Sequence, residues 1–315
     1  MRARIVLAMS ALLLTGLTAC TDDASPRTPR ATPSAAAPTA TAPAAPANCD
    51  PKASFRPSGA LPAAGRMPDR SHMKTILDRG RLILGTGQDT LLFSSRDPFT
   101  GKIEGFDVDM GREIAKAIFG DPNKLEIRVI PRSERFTRVA DGTVDLVINT
   151  TTTNCARWEL VDFSTVYLEA GQRVLVGKDS TAQRIEDLGG KKVCASVGST
   201  SLENLTKVNP PPVPVARADF GACLVAFQLG EVDAISTDDT ILAGLAAQDP
   251  YAKVVGERFT EEPYAIGIAK THPEFTRFVN GVLERLRADG TWKSIHDRWL
   301  GAFGPAPQPP AARYR

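Results

Sequence analysis

One arginine stands beside a row of hydroxyl side chains in the segment "NTTTTNCARW", residues 149–158. Thr150, Thr152 and two other threonines precede Arg157, directly after the apolar run "VDLVI". A guanidinium is permanently charged, and its planar fork of N–H donors matches a carboxylate in bidentate fashion. The segment therefore predicts a carboxylate site. The alternative is a surface ion pair with Asp162, which is worth about 0–1 kcal/mol.

Two more polar clusters follow predicted strands. The stretch of Gly198, Ser199 and Thr200 begins a helix, where free N–H groups and the helix dipole favour an anion. Asp238 follows the strand "VDAIST" and offers a carboxylate to an ammonium group. Ser199 and Asp238 as helix caps are the structural alternatives, although Asp239 fits the second role better. Ligands of open parallel sheets bind beyond the carboxyl ends of the strands. We therefore expect these groups and the arginine to clamp a zwitterion, such as an α-amino acid, in one cleft.

Strand and helix patterns alternate along the chain in two similar series. Residues 71–150 contain apolar runs such as "RLILGTG" and "LEIRVIP" between helical segments such as "FDVDMGREIAKAIFG". The segment "SERFTRVADG" predicts a short helix with Ser133 as its N-cap. A second series starts near residue 172 with "QRVLVGK" and "KVCASVG". This order predicts an α/β fold with two lobes, each built on a mainly parallel sheet.

The two ends of the chain differ in composition from the part between them. Residues 1–19 combine a basic start, a short apolar run and small residues, which is typical of a secretory signal peptide. The sequence "LTAC" resembles the bacterial lipobox and implies acylation of Cys20; an ordinary secreted protein with a chance cysteine is the alternative. We expect residues 20–66 to be a disordered tether and residues 305–315 to be a flexible tail. The roughly 240 residues between them suffice for two lobes.

Four cysteines remain once Cys20 is assigned to lipid attachment: Cys49, Cys155, Cys194 and Cys223. An even number in an exported protein favours two disulfides, for which three pairings exist. Cys194 and Cys223 lie in the same later region, so we pair them, and Cys49 then pairs with Cys155. Zinc is the alternative, but there is no CxxC motif and the histidines are scattered. We expect neither a metal nor another cofactor, and the net charge of +2 does not indicate a nucleic-acid partner.

Several segments together resemble a known family. They are "GFDVDMGREIAKAI", "VDLVINTTTTNCARWELVDFSTVYLEAGQRVLV", "IEDLGGKKVCASVGSTSLENL", "VDAISTDDTILAG", and "EEPYAIGIAK" with "GTWKSIHDRWL". From about residue 74 to 300 they are similar to the polar amino-acid solute-binding proteins of ABC importers, family 3. The actinobacterial glutamine/glutamate-binding lipoproteins of the GlnH type look most similar.

The resemblance implies a type II periplasmic-binding-protein fold. Lobe 1 would comprise residues 67–168 plus 268–304, and lobe 2 would comprise residues 169–267. Two crossover segments, around Tyr167–Gly171 and Glu262–Gly267, would form the hinge between them.

The resemblance also implies roles for individual residues. Arg157 matches the arginine that holds the α-carboxylate of the ligand, and Thr152 matches the threonine beside it. Thr150 matches the residue whose backbone takes part in recognising the α-groups. In lobe 2, the N–H of Thr200 would meet the carboxylate, and Asp238 would accept the α-ammonium.

Arg135 bears on the choice of amino acid. It matches a position where members with acidic ligands carry an arginine that contacts the distal carboxylate, and Arg132 lies close enough in sequence to assist. Two cations near that carboxylate favour glutamate or aspartate over the amides. Gly87 departs from both patterns, since acidic-ligand members can have another arginine there and glutamine binders an aspartate; Gln88 and Asp89 lie close by. Glutamine or asparagine therefore stays the alternative.

These features imply a binding protein and not an enzyme. We expect a monomer, lipid-anchored on the outer face of the cytoplasmic membrane, that closes on an L-amino acid and delivers it to an ABC permease. A sensor that passes the closed state to a membrane signalling partner is one alternative. A dehydratase on the same scaffold is the enzymatic alternative, but there is no lyase domain, and Asp238 suits an ammonium better than a dianionic substrate.

Overall fold

The structure is a computed structural model that describes residues 49–315. The predicted signal peptide, Cys20 and the tether up to residue 48 lie outside the described residues. Within the described range no helix has the length and apolar character of a membrane span, and no cluster of His, Cys, Asp and Glu is arranged to hold a metal.

The α-helices of the described range are α1 (His72–Arg79), α2 (Phe106–Phe119), α3 (Arg135–Ala140), α4 (Cys155–Trp158), α5 (Thr200–Leu205), α6 (Phe220–Gln228), α7 (Asp239–Gln248), α8 (Pro273–Ala288) and α9 (Thr291–Leu300). Short 3-10 helices span Arg132–Glu134, Ile185–Leu188 and Gly301–Phe303. Ser133 therefore lies inside a 3-10 turn before α3 and is not the N-cap of that helix, because the chain already begins to coil at Arg132.

The β-strands of the same range are β1 (Ala53–Ser54), β2 (Leu82–Thr86), β3 (Asp89–Thr90), β4 (Ser94–Arg96), β5 (Ile103–Glu104), β6 (Leu125–Val129), β7 (Leu146–Val147), β8 (Asp162–Phe163), β9 (Leu168–Ala170), β10 (Gln172–Gly177), β11 (Lys192–Ser196), β12 (Val213–Arg217), β13 (Ala234–Asp238), β14 (Ala252–Val255), β15 (Glu262–Tyr264), β16 (Gly267–Ile268) and β17 (Arg313–Tyr314). They form two five-stranded sheets and three smaller ones.

Lobe 1 is built around the five-stranded sheet with the order β6-β2-β7-β16-β8. β2 runs parallel to β6 and β7, whereas β16 is antiparallel to β7 and β8. All residues of β2 are buried, which is typical of a strand covered on both faces and explains its unbroken apolar run. Since β2 and β7 are parallel, their carboxyl ends lie at one edge of the sheet, and the threonine row leaves β7 at this edge.

Lobe 2 is built around the other five-stranded sheet, with the order β12-β11-β13-β10-β14. β11 runs parallel to β12 and β13, and β10 is antiparallel to β13 and β14. Side chains alternate along β10, so that Leu175 packs with Cys194 and Phe220 on one face while Val174 and Val176 pack in a second cluster. Both lobes are thus α/β, and each sheet combines parallel strands with an antiparallel one.

Two crossover segments connect the lobes and pair with each other. β9 and β15 form a two-stranded antiparallel sheet at the predicted hinge. Lys52 contacts both segments: its Nζ lies 3.3 Å from the carboxylate of Glu169 and 2.9 Å from that of Glu261. The start of the described chain is therefore attached beside the hinge.

The structure contains both predicted disulfides. Cys194–Cys223 joins β11 to α6 with 5.6 Å between the Cα atoms, and Cys49–Cys155 joins the start of the described chain to α4 with 5.9 Å. In the chain-entropy account, such bonds stabilise a fold by restricting the unfolded chain. The second bond also fixes α4, the helix that carries Arg157.

The C-terminal residues differ from the expected flexible tail. β17 pairs in parallel with β1, and Arg313 lies 2.7 Å from the carboxylate of Asp50. The guanidinium of Arg315 lies 3.8 Å from a ring centre of Trp158, a cation–π contact. The segment 49–66, assigned to the tether, likewise contains β1. The prediction rested on composition, which does not show these long-range contacts.

Candidate ligand-binding cleft

Polar groups from both lobes meet in one buried cleft. The threonine row after β7 and Arg157 of α4 come from lobe 1, and the start of α5 and the end of β13 come from lobe 2. The Oγ1 atoms of Thr152 and Thr200 lie 3.4 Å apart, and Arg157 Nη2 donates to the Gly198 carbonyl at 3.2 Å. Hydrogen bonds also link Arg132 to Thr150 and Arg135 to Gly198. Asp238 joins this group indirectly, since it accepts the hydroxyl of Tyr264, a residue that forms a β-bridge with Thr152. The residues predicted for the site are thus Arg132, Arg135, Thr150, Thr152, Arg157, Gly198, Thr200 and Asp238, joined by these contacts, and Ser199, which lies between Gly198 and Thr200 in the chain.

Arg157 is fixed by its own helix and by the loop before it. Asn154, the N-cap of α4, accepts the backbone N–H of Arg157 at 2.8 Å. The side chain is only 6% exposed, and its Nη1 donates to the Thr152 carbonyl at 2.7 Å. Burial lowers the pKa of Arg157, whereas Glu203 and Glu262 act to raise it. Because a guanidinium stays protonated in proteins, the cleft holds a permanent cation here.

Two further arginines are buried in the same region. Arg132 Nη1 donates to the Asn149 carbonyl and to Thr150 Oγ1, both at 3.1 Å, so these bonds stay within lobe 1. Arg135 is 1% exposed, and its Nη2 donates to the Gly198 carbonyl at 3.2 Å. Burial and then the two neighbouring arginines lower the pKa of Arg135. Its Nε and Nη1 have no hydrogen-bond partner among the described residues, which is rare for buried polar groups.

Phe136 lies beside two of these cations. Its ring centre is 5.0 Å from Cζ of Arg135 and 5.3 Å from Cζ of Arg157, within the range of cation–π contacts. Both guanidiniums also donate to the one carbonyl of Gly198. The shared ring and the shared carbonyl hold two like charges near each other. Gly198 has a φ of +75°, and a Cβ there would lie 2.8 Å from the Cα of Ser133, so the close approach of the lobes requires glycine.

Asp238 supplies a buried carboxyl group on the lobe 2 side. It is 3% exposed at the N-cap position of α7, but its side chain makes no capping hydrogen bond. Oδ2 accepts the hydroxyl of Tyr264 at 2.6 Å, and Oδ1 has no partner among residues 49–315. Burial, followed by the charge of Glu262, raises the pKa of Asp238 to about 8.

The backbone of Thr150 has an uncommon conformation. Its φ is +40°, a left-handed value that costs a residue with a branched side chain about 1–3 kcal/mol. The buried carboxylate of Asp107 accepts the N–H of Thr150 at 2.7 Å and the hydroxyl of Tyr167 at 2.7 Å. Burial raises the pKa of Asp107 to about 6, although these hydrogen bonds act against the rise. Asp107 thus holds the threonine row in place.

Two residues near the cleft serve the fold or the contact between lobes. Ser199 Oγ accepts an N–H of its own helix, that of Leu202, at 3.1 Å, so the capping alternative is what the structure shows. Asp89 of lobe 1 accepts the N–H groups of Phe220 and Gly221 at the start of α6, at 3.2 and 3.4 Å. The carboxylate two residues after Gly87 therefore bridges the lobes.

Sequence reasoning missed five side chains that shape the cleft: Asp107, Phe136, Phe220, Glu262 and Tyr264. Phe220 lies 5.1 Å from Cζ of Arg132 and brings lobe 2 against that cation. Of these five, only Asp107 has a sequence pattern that could have indicated its role, because this acidic residue stands among apolar residues in the first turn of α2. The other four became visible only through contacts between distant segments.

Comparison with known proteins agrees with this geometry. The model of the family "Bacterial extracellular solute-binding proteins, family 3" matches residues 82–302, which include every residue predicted to bind the ligand. The chain belongs to this family. Its members are extracellular binding proteins and not enzymes, and the resemblance read from the sequence is confirmed.

Individual relatives cover most of the folded chain. A glutamine-binding protein of Geobacillus stearothermophilus is 41% identical over 199 residues, which is 63% of this chain and 76% of the relative. The glutamate-binding protein GluB of Corynebacterium efficiens is 33% identical over 253 residues, 76% of this chain and 86% of the relative. The crystal structure of the cysteine-binding protein of Campylobacter jejuni superimposes with a TM-score of 0.70 at 25% identity, over 74% of this chain and 94% of that one. These relatives confirm the two-lobed α/β fold.

Proposed function

We propose that this protein binds an L-amino acid with an acidic side chain, glutamate or aspartate, between its lobes and delivers it to an ABC importer. The observation that carries the proposal is a buried guanidinium close to a buried carboxyl group, one oxygen of which has no hydrogen-bond partner in the described chain. Arg157 lies on the lobe 1 side and Asp238 on the lobe 2 side, each less than a tenth exposed. A zwitterion is the small molecule whose own charges complement both.

The α-carboxylate and the α-ammonium of the ligand bind Arg157 and Asp238, respectively. The α-carboxylate pairs with the guanidinium of Arg157, and the backbone N–H of Thr200 adds a second donor. The α-ammonium donates to Oδ1 of Asp238, the oxygen without a partner in the described chain. Charge-assisted hydrogen bonds of this kind are about twice as strong as neutral ones and stronger still where water is excluded.

The side-chain carboxylate of the ligand pairs with a third partner, Arg135. Arg135 has two donor nitrogens without partners in the described part of the chain, and Arg132 lies beside it. An anionic group there balances the excess of buried guanidiniums, whereas the neutral amide of glutamine or asparagine leaves that excess in place. The two relatives described above bear names that indicate glutamine and glutamate, so the distal group is the point to test.

The test is a calorimetric titration with glutamate, aspartate, glutamine and asparagine of the wild type and of the variant Arg135→Gln. We expect the wild type to prefer the acids, and the variant to bind glutamate about 10- to 100-fold more weakly with a smaller change for glutamine, since one charged hydrogen bond is worth about 1.5–3 kcal/mol. Arg138→Gln is the matched control, because Arg138 lies on the same helix but is half exposed and pairs with Glu134. A wild type that prefers glutamine would overturn the choice of an acidic ligand.

Affinity should rise as the pH is raised from 6 to 8. The pKa of Asp238 is raised to about 8 by burial, so below that pH most of the ligand-free protein carries a neutral acid, which attracts an ammonium poorly. Binding must then release a proton, at a cost of up to about tenfold in affinity per pH unit. Calorimetry in two buffers of different ionisation enthalpy measures the proton release. A constant affinity with no proton release between pH 6 and 8 would contradict this assignment.

The proposed location is supported by the family and by the "LTAC" sequence. Family members act outside the cytoplasm, and the "LTAC" sequence supports a lipid anchor at Cys20 on the outer face of the cytoplasmic membrane. In this proposal the closed form, which presents both lobes in a fixed relation, is what the membrane permease binds.

A further inference from the structure

Glu262, at the start of hinge strand β15, is a buried carboxylate with an unusual number of partners. It is 2% exposed. Its Oε2 accepts the hydroxyls of Thr152 at 2.7 Å and Thr200 at 2.6 Å. Its Oε1 accepts the amide of Asn204 at 3.0 Å and the hydroxyl of Thr260 at 2.7 Å. Four donors thus converge on one side chain.

These donors come from three parts of the molecule. Thr152 belongs to lobe 1, and Thr200 and Asn204 belong to helix α5 of lobe 2. Thr260 lies two residues before Glu262, the first residue of β15. The four bonds exist together only while Thr152 and Thr200 are side by side, with their Oγ1 atoms 3.4 Å apart. Lobes that move apart must break at least one of the two bonds to Oε2.

We propose that Glu262 is a positioning residue for ligand binding, which ties Thr152 and Thr200 together and thereby prolongs the closed, ligand-holding state. The inference rests on the proposed function, since it concerns how long a bound amino acid is held. A threonine hydroxyl has one hydrogen, and both hydroxyls donate it to Glu262. The two threonines therefore face the ligand with backbone groups and oxygen lone pairs, and the carbonyl of Thr152 remains free to orient Arg157.

A carboxylate suits this arrangement because its two oxygens accept from all four partners at once. Glutamine at the same place has one acceptor oxygen and an NH₂ group that is itself a donor. Its NH₂ would face one of the two pairs, and a hydroxyl in that pair could keep a bond only by turning to accept, so that it no longer donates to residue 262. The variant Glu262→Gln keeps the size of the side chain and disrupts at least one of the hydrogen bonds that join Thr152 and Thr200 to the hinge.

The experiment measures the dissociation rate of glutamate by stopped-flow fluorescence for the wild type, Glu262→Gln and Glu261→Gln. We expect Glu262→Gln to release glutamate at least about tenfold faster, with the association rate changed by less than about threefold, because the bridge forms on closure. Glu261→Gln is the matched control: the adjacent side chain is 81% exposed and contacts Lys52. We expect its rates to be those of the wild type. Circular dichroism and thermal melting without ligand check that each variant is folded.

A double-mutant cycle with Thr200→Val separates positioning from a general effect on the fold. Valine removes the hydroxyl and keeps the backbone N–H, so Thr200→Val should itself speed dissociation, and combining it with Glu262→Gln should add little. Additive effects of the two variants would overturn the inference. So would a dissociation rate in Glu262→Gln that is unchanged or slower, the latter showing that the negative charge chiefly repels the ligand.

Two further outcomes concern a variant that does not fold and a wild type that does not bind. If Glu262→Gln does not fold, Thr200→Val and Thr152→Val carry the test, and wild-type dissociation rates in both would overturn the inference. If the wild type binds none of the four amino acids, the proposed function fails first. Binding by the wild type together with normal dissociation in the variants removes only the role of Glu262.

Discussion

Replacing Arg157 with alanine should abolish amino-acid binding while leaving the fold intact. The α-carboxylate would enter a buried cleft and lose the cation opposite it, a loss of about 3–5 kcal/mol, or roughly 100- to 4,000-fold in affinity. The fold should survive, because the core clusters of both lobes do not include this side chain. Isothermal titration calorimetry with glutamate measures the affinity, and circular dichroism reports on the fold.

Two companion variants make this result specific. Arg157→Lys keeps a positive charge but loses the planar fork, so it should bind more weakly than the wild type and better than the alanine variant. Arg138→Ala removes an arginine from α3 that pairs with Glu134 at the surface, and its affinity should be that of the wild type. Normal glutamate affinity in Arg157→Ala would refute the role of this residue and with it the clamp.

Asp238→Asn should be the second most damaging change. The ligand ammonium would be buried without a counter-charge, and breaking such a pair costs about 2–5 kcal/mol, or roughly 30- to 4,000-fold in affinity. The same variant should lose the rise of affinity between pH 6 and 8, because the titrating carboxylate is gone. Calorimetric titrations at pH 6, 7 and 8 test both effects on one protein.

The adjacent Asp239 provides the matched control. Its carboxylate contacts Arg258 at 2.6 Å, outside the network of Arg157 and Thr200. We expect Asp239→Asn to retain glutamate binding and its pH dependence. Without ligand, Asp238→Asn should melt no lower than the wild type, since it removes a buried acid whose ionisation burial already disfavours. Weak binding in Asp239→Asn equal to that in Asp238→Asn would show that the effect is structural.

The parts of this molecule that depend on neighbouring residues could be predicted from sequence. The run "RLILGTG" is a buried strand because apolar residues fill every position, and α2 has the helical spacing of its apolar side chains and ends at Gly120. Arg157 and Asp238 were predicted to bind the ligand because ligands of open parallel sheets lie beyond the carboxyl ends of the strands, and this role stays a prediction. The disulfide pairing followed from proximity along the chain.

The rest depends on contacts between distant segments. Glu262 and Tyr264 stand in a short hinge strand, and nothing in their surroundings shows that one meets Thr152 and the other Asp238. The docking of Arg315 on Trp158 joins the end of the chain to α4, across more than 150 residues of sequence. The proline-rich composition of residues 305–315 predicted a flexible tail. A cation–π contact leaves no local sequence pattern that could have corrected this prediction.

The ion pairs of Lys52, with Glu169 of β9 and with Glu261 just before β15, bear on how the molecule responds to force. Cys49, three residues earlier, is bonded to Cys155 of lobe 1, so a force transmitted through residues 49–52 would act close to the hinge segments. A force applied at a pivot has a short lever arm and exerts little torque. If the lobes close as proposed, tension in this segment would therefore oppose their rotation only weakly.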